Sequence, residues 1–184
     1  TGATGFIGSH LVRQLIANEC DVTCLIRATS SRDLLNGLDV RFNDKGLQQS
    51  ESDLEESVRG FDVVYHLAGT TKALRANGFE PVNVDAVGRL AGVCAALDAP
   101  PTFVHVSSLA AAGPSSIAQP RVETEPCTPV SNYGRSKLAG EQRLRQFSDS
   151  LPSSIVRPPI VLGPSDRDGL EMFQSIARWG IHIV

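Results

Sequence analysis

Thr1-Gly2-Ala3-Thr4-Gly5-Phe6-Ile7-Gly8 opens the chain, with glycines at the first, fourth and seventh positions of the run that starts at Gly2. A tight turn, a close backbone approach to a pyrophosphate and close packing of a following helix each require a residue without a Cβ. Phe6, Ile7, Leu11, Val12, Leu15 and Ile16 then recur at helical spacing, so a helix follows the loop directly. Its free N–H groups and positive dipole end point back at the loop. Gly2, Thr4, Gly5, Phe6, Ile7 and Gly8 are therefore candidate dinucleotide-binding residues.

Outward from the loop, strand-like and helix-like segments alternate. Strands are predicted over 22–26, 38–42, 61–67, 102–106 and 154–157. Helices are predicted over 53–58 (with Ser50 or Ser52 as cap), 84–97, 132–147 and 169–179, with Pro100-Pro101 stopping the long one. The alternation points to βαβ units around a doubly wound parallel sheet, an α/β fold. Residues 109–131, rich in Ser, Pro and Gly, are expected to be irregular and to carry function.

Composition narrows the classes. The 184 residues are 41% hydrophobic and 20% charged, with a net charge of −3. That excludes a disordered tail, and no apolar run approaches the roughly 18 residues of a membrane span. The absence of a Lys/Arg cluster argues against nucleic acid or a membrane surface as partner. Cys20, Cys24, Cys94 and Cys127 match no zinc spacing and read as reduced, mostly buried residues, which favours a cytoplasmic location. His10, His66, His105 and His182 are scattered and read as satisfied structural histidines, so no metal is expected.

About twenty residues past a dinucleotide loop stands the side chain that reads the adenosine ribose. This chain has Ile26-Arg27-Ala28-Thr29-Ser30-Ser31-Arg32 there, without an acid. Arg27 can make charge-assisted bonds to a 2′-phosphate, helped by Ser30, Ser31 or Arg32, which points to NADP over NAD.

Tyr133 and Lys137 lie four residues apart, hence on one helical face. A neighbouring ammonium is expected to lower the phenol's pKa, so that Tyr133 trades a proton with a substrate oxygen while Lys137 also holds ribose hydroxyls. Ser108 follows the strand at 102–106, at the carboxyl end where open α/β sheets bind ligands, and its hydroxyl can donate to a carbonyl oxygen. Ser108 is preferred to Ser107 because the chain leaves the strand beyond it.

These residues carry a resemblance. The chain resembles the extended short-chain dehydrogenase/reductase family, also called the NAD-dependent epimerase/dehydratase family. The matches are the glycine loop, His66-Leu67-Ala68-Gly69, Val82-Asn83-Val84, Val106-Ser107-Ser108, Tyr133-Gly134-Arg135-Ser136-Lys137, and Arg157-Pro158-Pro159 with Gly163-Pro164. The resemblance implies a Rossmann fold and hydride transfer between a nicotinamide and a carbonyl or alcohol carbon, with Ser108, Tyr133 and Lys137 as the catalytic set. It also implies that Leu67, Ala68, Gly69, Asn83 and Val106 line the cofactor groove, with Pro158 and Val161 near the nicotinamide. Arg27 is similar to what the NADP-using dihydroflavonol-reductase-like and hydroxysteroid-dehydrogenase-like members show. One departure is Lys45-Gly46-Leu47-Gln48-Gln49, where the family usually has an acid that meets adenine. Asp44 lies close but is not assigned that role.

The motif order assigns 1–164 to a dinucleotide-binding domain lacking its first strand and 165–184 to the start of a truncated substrate-binding region. Expressed alone, the chain is expected to fold poorly and to bind cofactor weakly. The leading expectation is an NAD(P)-dependent oxidoreductase acting on a small-molecule carbonyl or alcohol, as a homodimer. The alternatives are a nucleotide-sugar epimerase or dehydratase with tightly held NAD(P), and a non-catalytic dinucleotide-binding redox sensor. Sensors of that kind typically lack the Tyr/Lys pair.

Overall fold

The helical spacing after the glycine loop becomes α1 (Phe6–Ala17), in a computed structural model that describes residues 1–180. The apolar ending at 181–184 lies outside the described residues. After α1 come β1 (Thr23–Leu25), a 3-10 turn (Asp33–Leu35), β2 (Arg41–Asn43), α2 (Glu51–Val58) and β3 (Val63–His66). A second 3-10 turn (Ala76–Phe79) and a wide π-type turn (Pro81–Asp85) lead into α3 (Ala86–Ala95). The rest is β4 (Thr102–Val106), α4 (Leu109–Ala112), α5 (Asn132–Arg145), β5 (Ser153–Val156) and α6 (Arg167–Trp179).

Side-chain caps set the helix starts. Ser50 accepts from the amide of Asp53, Ser131 from that of Gly134 and Asp166 from that of Gly169, each satisfying an orphan donor of the first turn. Most bounds shift by one or two residues, and two shifts have a clear local cause. The strand predicted over 38–42 begins only at Arg41, because Gly37 (φ 76°) and the bond from the Leu38 amide to the Leu35 carbonyl hold the preceding residues in a turn. The helix predicted from residue 84 is preceded by the wide turn at Pro81, whose ring suits a first helical position because it has no N–H to satisfy. The segment predicted to be irregular from residue 109 starts with α4.

All described strand pairs are parallel, in two pieces: β1–β2, and β3–β4–β5 with β4 in the middle. Between β1 and β3 lies a cavity of about 460 Å³, lined by Leu15, Cys24, Val58, Val64, Tyr65 and Leu90 among others. Thr1 stands at its end: its amino group donates to the Tyr65 carbonyl (2.7 Å) and its carbonyl accepts from Leu67 (3.2 Å), a parallel ladder with the end of β3.

Two buried clusters follow the two pieces. Leu54, Val58, Val64, Val87, Leu90, Phe103, Leu144 and Leu151 pack around β3–β5 with α2, α3 and α5. Ala3, Val12, Cys24, Ile26 and Leu35 pack around β1 with α1. Cys24 and Cys94 are buried, Cys127 is half-buried and Cys20 is exposed, so the expectation of mostly buried cysteines holds for only part of the set; all four are free thiols. On α6, Leu170, Phe173, Ile176 and Trp179 are exposed.

Candidate active site

The glycine loop has the steric signature of a ligand cradle. A Cβ on Gly8 would stand 2.1 Å from the carbonyl oxygen of Gly2, and one on Gly2 (φ 72°) would stand 2.6 Å from the amide nitrogen of Ala68. Backbone therefore packs on backbone, which brings the loop, the start of α1 and the 67–69 segment together. Gly5, the N-cap of α1, offers no side chain, so no side-chain cap competes for the first N–H groups of the helix. Gly5 and Ile7 are exposed, whereas Thr4 and Phe6 are half-buried and Gly8 is buried. This donor set fits the diphosphate of a dinucleotide.

Leu67, Ala68 and Gly69 form the next wall. Asn83 holds it from behind: its Oδ1 accepts from the Thr70 amide (2.8 Å), and its Nδ2 donates to the Thr70 carbonyl and to Ser136 Oγ (2.9 Å each). Asn83 is fully buried, so the structure places it as a brace behind the groove, not in its open face. A Cβ on Gly140 would sit 2.2 Å from the Asn83 carbonyl oxygen, which is why α5 can lie directly on the wide turn.

The same device brings Tyr133 and Ser108 together. A Cβ on Gly134 would meet the Ala110 carbonyl oxygen at 2.2 Å, so glycine lets the start of α5 touch α4. Ser108 is the N-cap of α4, accepting from the Ala110 amide (3.1 Å), and its hydroxyl stands near enough to the Tyr133 phenol to favour the phenolate. Lys137, one turn along α5, is 3% exposed and donates from Nζ to the carbonyl of Val106 at 2.9 Å. Its ammonium also stands behind Gly69, 3.9 Å from where a Cβ would be.

The electrostatics correct one expectation. The phenol of Tyr133 is pushed up, not down: burial disfavours the phenolate, and the neighbouring Ser108 hydroxyl only partly opposes it. Lys137 carries the complementary effect, burial pushing its ammonium down to about 8 while the charge of Glu141 opposes the shift. Tyr133 is thus held as a proton donor.

Ser107 turns the other way, donating to Glu141 Oε1 at 2.6 Å. Glu141 is fully buried and also accepts from Arg157 Nε (2.8 Å), Arg157 Nη2 (2.6 Å) and Arg145 Nη2 (3.0 Å). Burial alone would raise its pKa, but the bonds from Arg157 and Ser107 and the charges of Arg157 and Arg145 hold the carboxyl below its usual range. Sequence reading missed this residue, although its place four residues after Lys137 puts an acid on the inward face of the helix.

The histidines also depart from expectation. His66 and His105, paired across β3 and β4, stack at 5.6 Å and are fully buried. His66 Nδ1 meets Thr1 Oγ1 at 2.9 Å, but His66 Nε2 and both ring nitrogens of His105 have no hydrogen-bond partner among the described residues. Both imidazoles are held neutral, His66 well below its usual range and His105 pushed down to about 3, first by burial.

At the other end of the groove Arg27 is exposed and pairs with Lys45 in an isolated antiparallel bridge. Arg32 lies over the Phe42 ring at 4.4 Å and 3.7 Å from Asp44. Pro158 accepts the Leu109 amide at 3.0 Å, and Val161 is exposed just beyond it. No cluster of three or more metal-ligating side chains, and no helix long and apolar enough to cross a membrane, occurs among the described residues.

Comparison with known proteins agrees with this geometry. The chain is 38% identical over 180 residues to a ceramide reductase of Caulobacter vibrioides, a match covering 97% of this chain and 50% of the relative. It is 30% identical over 177 residues to sterol demethylase protein B of Methylococcus capsulatus, covering 90% of this chain and 52% of the relative. The chain thus spans about half the length of these curated relatives. Among solved structures, the dTDP-glucose 4,6-dehydratase DesIV of Streptomyces venezuelae with NAD and TYD bound matches with a TM-score of 0.83 and 27% identity, over 97% of this chain and 61% of that one. The model of the NAD dependent epimerase/dehydratase family matches residues 1–180, and the chain belongs to that family.

Proposed function

We propose that the protein is an NAD(P)-dependent oxidoreductase that interconverts a carbonyl and an alcohol on a small molecule. The observation that carries this reading is the juxtaposition of Ser108, at the carboxyl end of β4, with Tyr133 on α5 and with Lys137, whose Nζ is held one turn further along at the Val106 carbonyl. When bound, the nicotinamide dinucleotide supplies or takes up the hydride. Gly2, Thr4, Gly5, Phe6, Ile7 and Gly8 would hold its diphosphate, and Leu67 to Gly69, Val106, Pro158 and Val161 would border its groove.

In the reducing direction Tyr133 gives its phenolic proton to the substrate oxygen, for which a raised pKa suits it. Ser108 donates to the same oxygen as negative charge develops there. The buried Lys137 ammonium lowers the cost of the phenolate left behind. Arg27 favours NADP, through charge-assisted bonds to the 2′-phosphate. The names of the ceramide and sterol relatives support a reductase of apolar carbonyl substrates, with 1–164 serving cofactor binding and 165–184 beginning the substrate region.

The test is NADPH consumption by the whole protein against a panel of ketones, with a ceramide and a sterol ketone included and Tyr133→Phe as control. Turnover by the wild type and its loss in Tyr133→Phe is expected. Equal turnover by both proteins would overturn the reading. The likeness to the dTDP-glucose dehydratase favours a second reading, in which a nucleotide sugar is oxidised and re-reduced with no net change in cofactor. Cofactor that co-purifies, together with conversion of a nucleotide sugar, would select it.

A further inference from the structure

Glu141 takes no part in the chemistry described above, yet its carboxylate gathers donors from three of the elements that build the site. Ser107 comes from the end of β4, Arg157 from the end of β5 and Arg145 from α5 itself. Resting on the reading of Tyr133 and Lys137 given under the proposed function, we infer that Glu141 is a positioning residue that locks α5 to the ends of β4 and β5 so that Ser108, Tyr133 and Lys137 keep their places.

The geometry is a ladder of three rungs. Tyr133, Lys137 and Glu141 stand at four-residue steps along one face of α5, and Val106, Ser107 and Ser108 are successive residues leaving β4. Tyr133 stands beside Ser108, Lys137 bonds to Val106 and Glu141 bonds to Ser107. The Glu141 rung is the one tied onward to β5, through Arg157. Two backbone bonds, from Ser107 N to Val156 O (2.7 Å) and from Leu109 N to Pro158 O (3.0 Å), carry the β4–β5 pairing past the strands on either side of Ser108. Loss of the carboxylate leaves the half-buried Arg157 guanidinium and the Ser107 hydroxyl without their acceptor, beside Ser108.

The charge of Glu141 also reaches Lys137. The charge of that ammonium is felt by Glu141 from α5, His105 from β4 and His66 from β3, with Tyr133 one turn away on the same helix and Arg157 and Arg145 beyond the carboxylate. Both histidines are held neutral at neutral pH, first by burial. Glu141 is then the group whose charge opposes the effect of burial on Lys137.

The experiment uses the whole protein as wild type, Glu141→Gln and Glu141→Asp. The side-chain ε-carbon of Lys137 is followed by NMR through a pH titration without cofactor, its resonance assigned with Lys137→Arg. Steady-state reduction is then measured with NADPH on the best ketone of the panel, beside Tyr133→Phe. Glu141→Gln is expected to move the Lys137 midpoint below its wild-type value and to lower kcat about 10- to 100-fold, with KM changed far less. Glu141→Asp, which keeps the charge but shortens the reach, is expected to leave the midpoint in place while kcat falls. A folded Glu141→Gln with an unmoved midpoint, or with wild-type kcat, overturns the inference. Where Glu141→Gln does not fold, Glu141→Asp decides: lowered kcat with an unmoved midpoint supports it, and wild-type kcat overturns it. If Tyr133→Phe stays active, the reading of the site falls and takes this inference with it. If Tyr133→Phe is inactive and the Glu141 variants behave as wild type, only the role of Glu141 falls.

Discussion

Lys137 donates from Nζ to the carbonyl oxygen of Val106 at 2.9 Å, which fixes a buried ammonium at the end of β4. A neutral amine would keep that bond but lose its hold on a neighbouring phenolate. Because burial brings Lys137 down to about 8, the charged form is present below that pH and disappears above it. The rate of reduction is expected to be level on the acid side and to fall as pH rises through about 8. Tyr133, whose pKa is raised, remains protonated through that range. Lys137→Arg keeps its charge to much higher pH, so its rate is expected to be lower but without the limb near 8. A pH–rate profile of both proteins checks this.

The stacked pair of His66 and His105 sets the acid side of stability. Both are neutral in the folded protein and have folded pKa values below the unfolded value of about 6.5. Between the two values the unfolded chain binds more protons, so stability falls as pH drops from about 6.5 toward about 3. His105→Phe removes one of these groups together with two unpartnered buried nitrogens. The variant is expected to gain about 1 kcal/mol at neutral pH and to lose less stability on acidification. Thermal melts of the two proteins between pH 4 and 7 measure both effects.

Much of this site is legible along the chain, and the rest depends on distances that spacing does not contain. The strand at 102–106 is found with the bounds read from its apolar run, and the helix carrying Tyr133 begins at Asn132, where Ser131 can cap it. The choice of Ser108 over Ser107 follows from local geometry, since Ser108 leaves the strand to cap α4. The direction of the Tyr133 shift was not legible, because it follows from burial, which outweighs the neighbouring Ser108 hydroxyl and which spacing does not contain. Nor was the brace at Asn83, whose partners lie 13 and 53 residues away. The stacking of His66 on His105 arises from the register of two strands, which long-range packing decides.

Gly8 and Gly5 separate what the loop needs for folding from what it needs for binding. A Cβ at position 8 would stand 2.1 Å from the Gly2 carbonyl oxygen, whereas one at position 5 would stand at 3.4 Å. Gly8→Ala is therefore expected to cost about 1–3 kcal/mol as backbone shifts to relieve the clash. Gly5→Ala is expected to cost under about 1 kcal/mol, the difference between glycine and alanine as an N-cap. Denaturant unfolding without cofactor checks the order. Titration with NADPH then shows whether the extra methyl at position 5 weakens binding on its own.

The proposed preference for NADPH rests on Arg27. It is exposed at the end of β1, bridged to Lys45 of the segment after β2, with the Gly46 backbone packed on it: a Cβ there would lie 3.6 Å from the Arg27 Cα. No carboxylate occupies 26–32 to accept both ribose hydroxyls, and the neighbouring Asp44 is 3.7 Å from Arg32. A guanidinium here stabilises a 2′-phosphate and has little to add for a bare 2′-hydroxyl. Arg27→Ala is expected to weaken NADPH binding by roughly 1.5–3 kcal/mol, the scale of one charge-assisted hydrogen bond, and to leave NADH binding nearly unchanged. The NADPH loss should shrink as salt is raised, since the pair is exposed to solvent. Calorimetry of both cofactors against both proteins decides it, and equal losses for NADPH and NADH would remove Arg27 as the selecting residue.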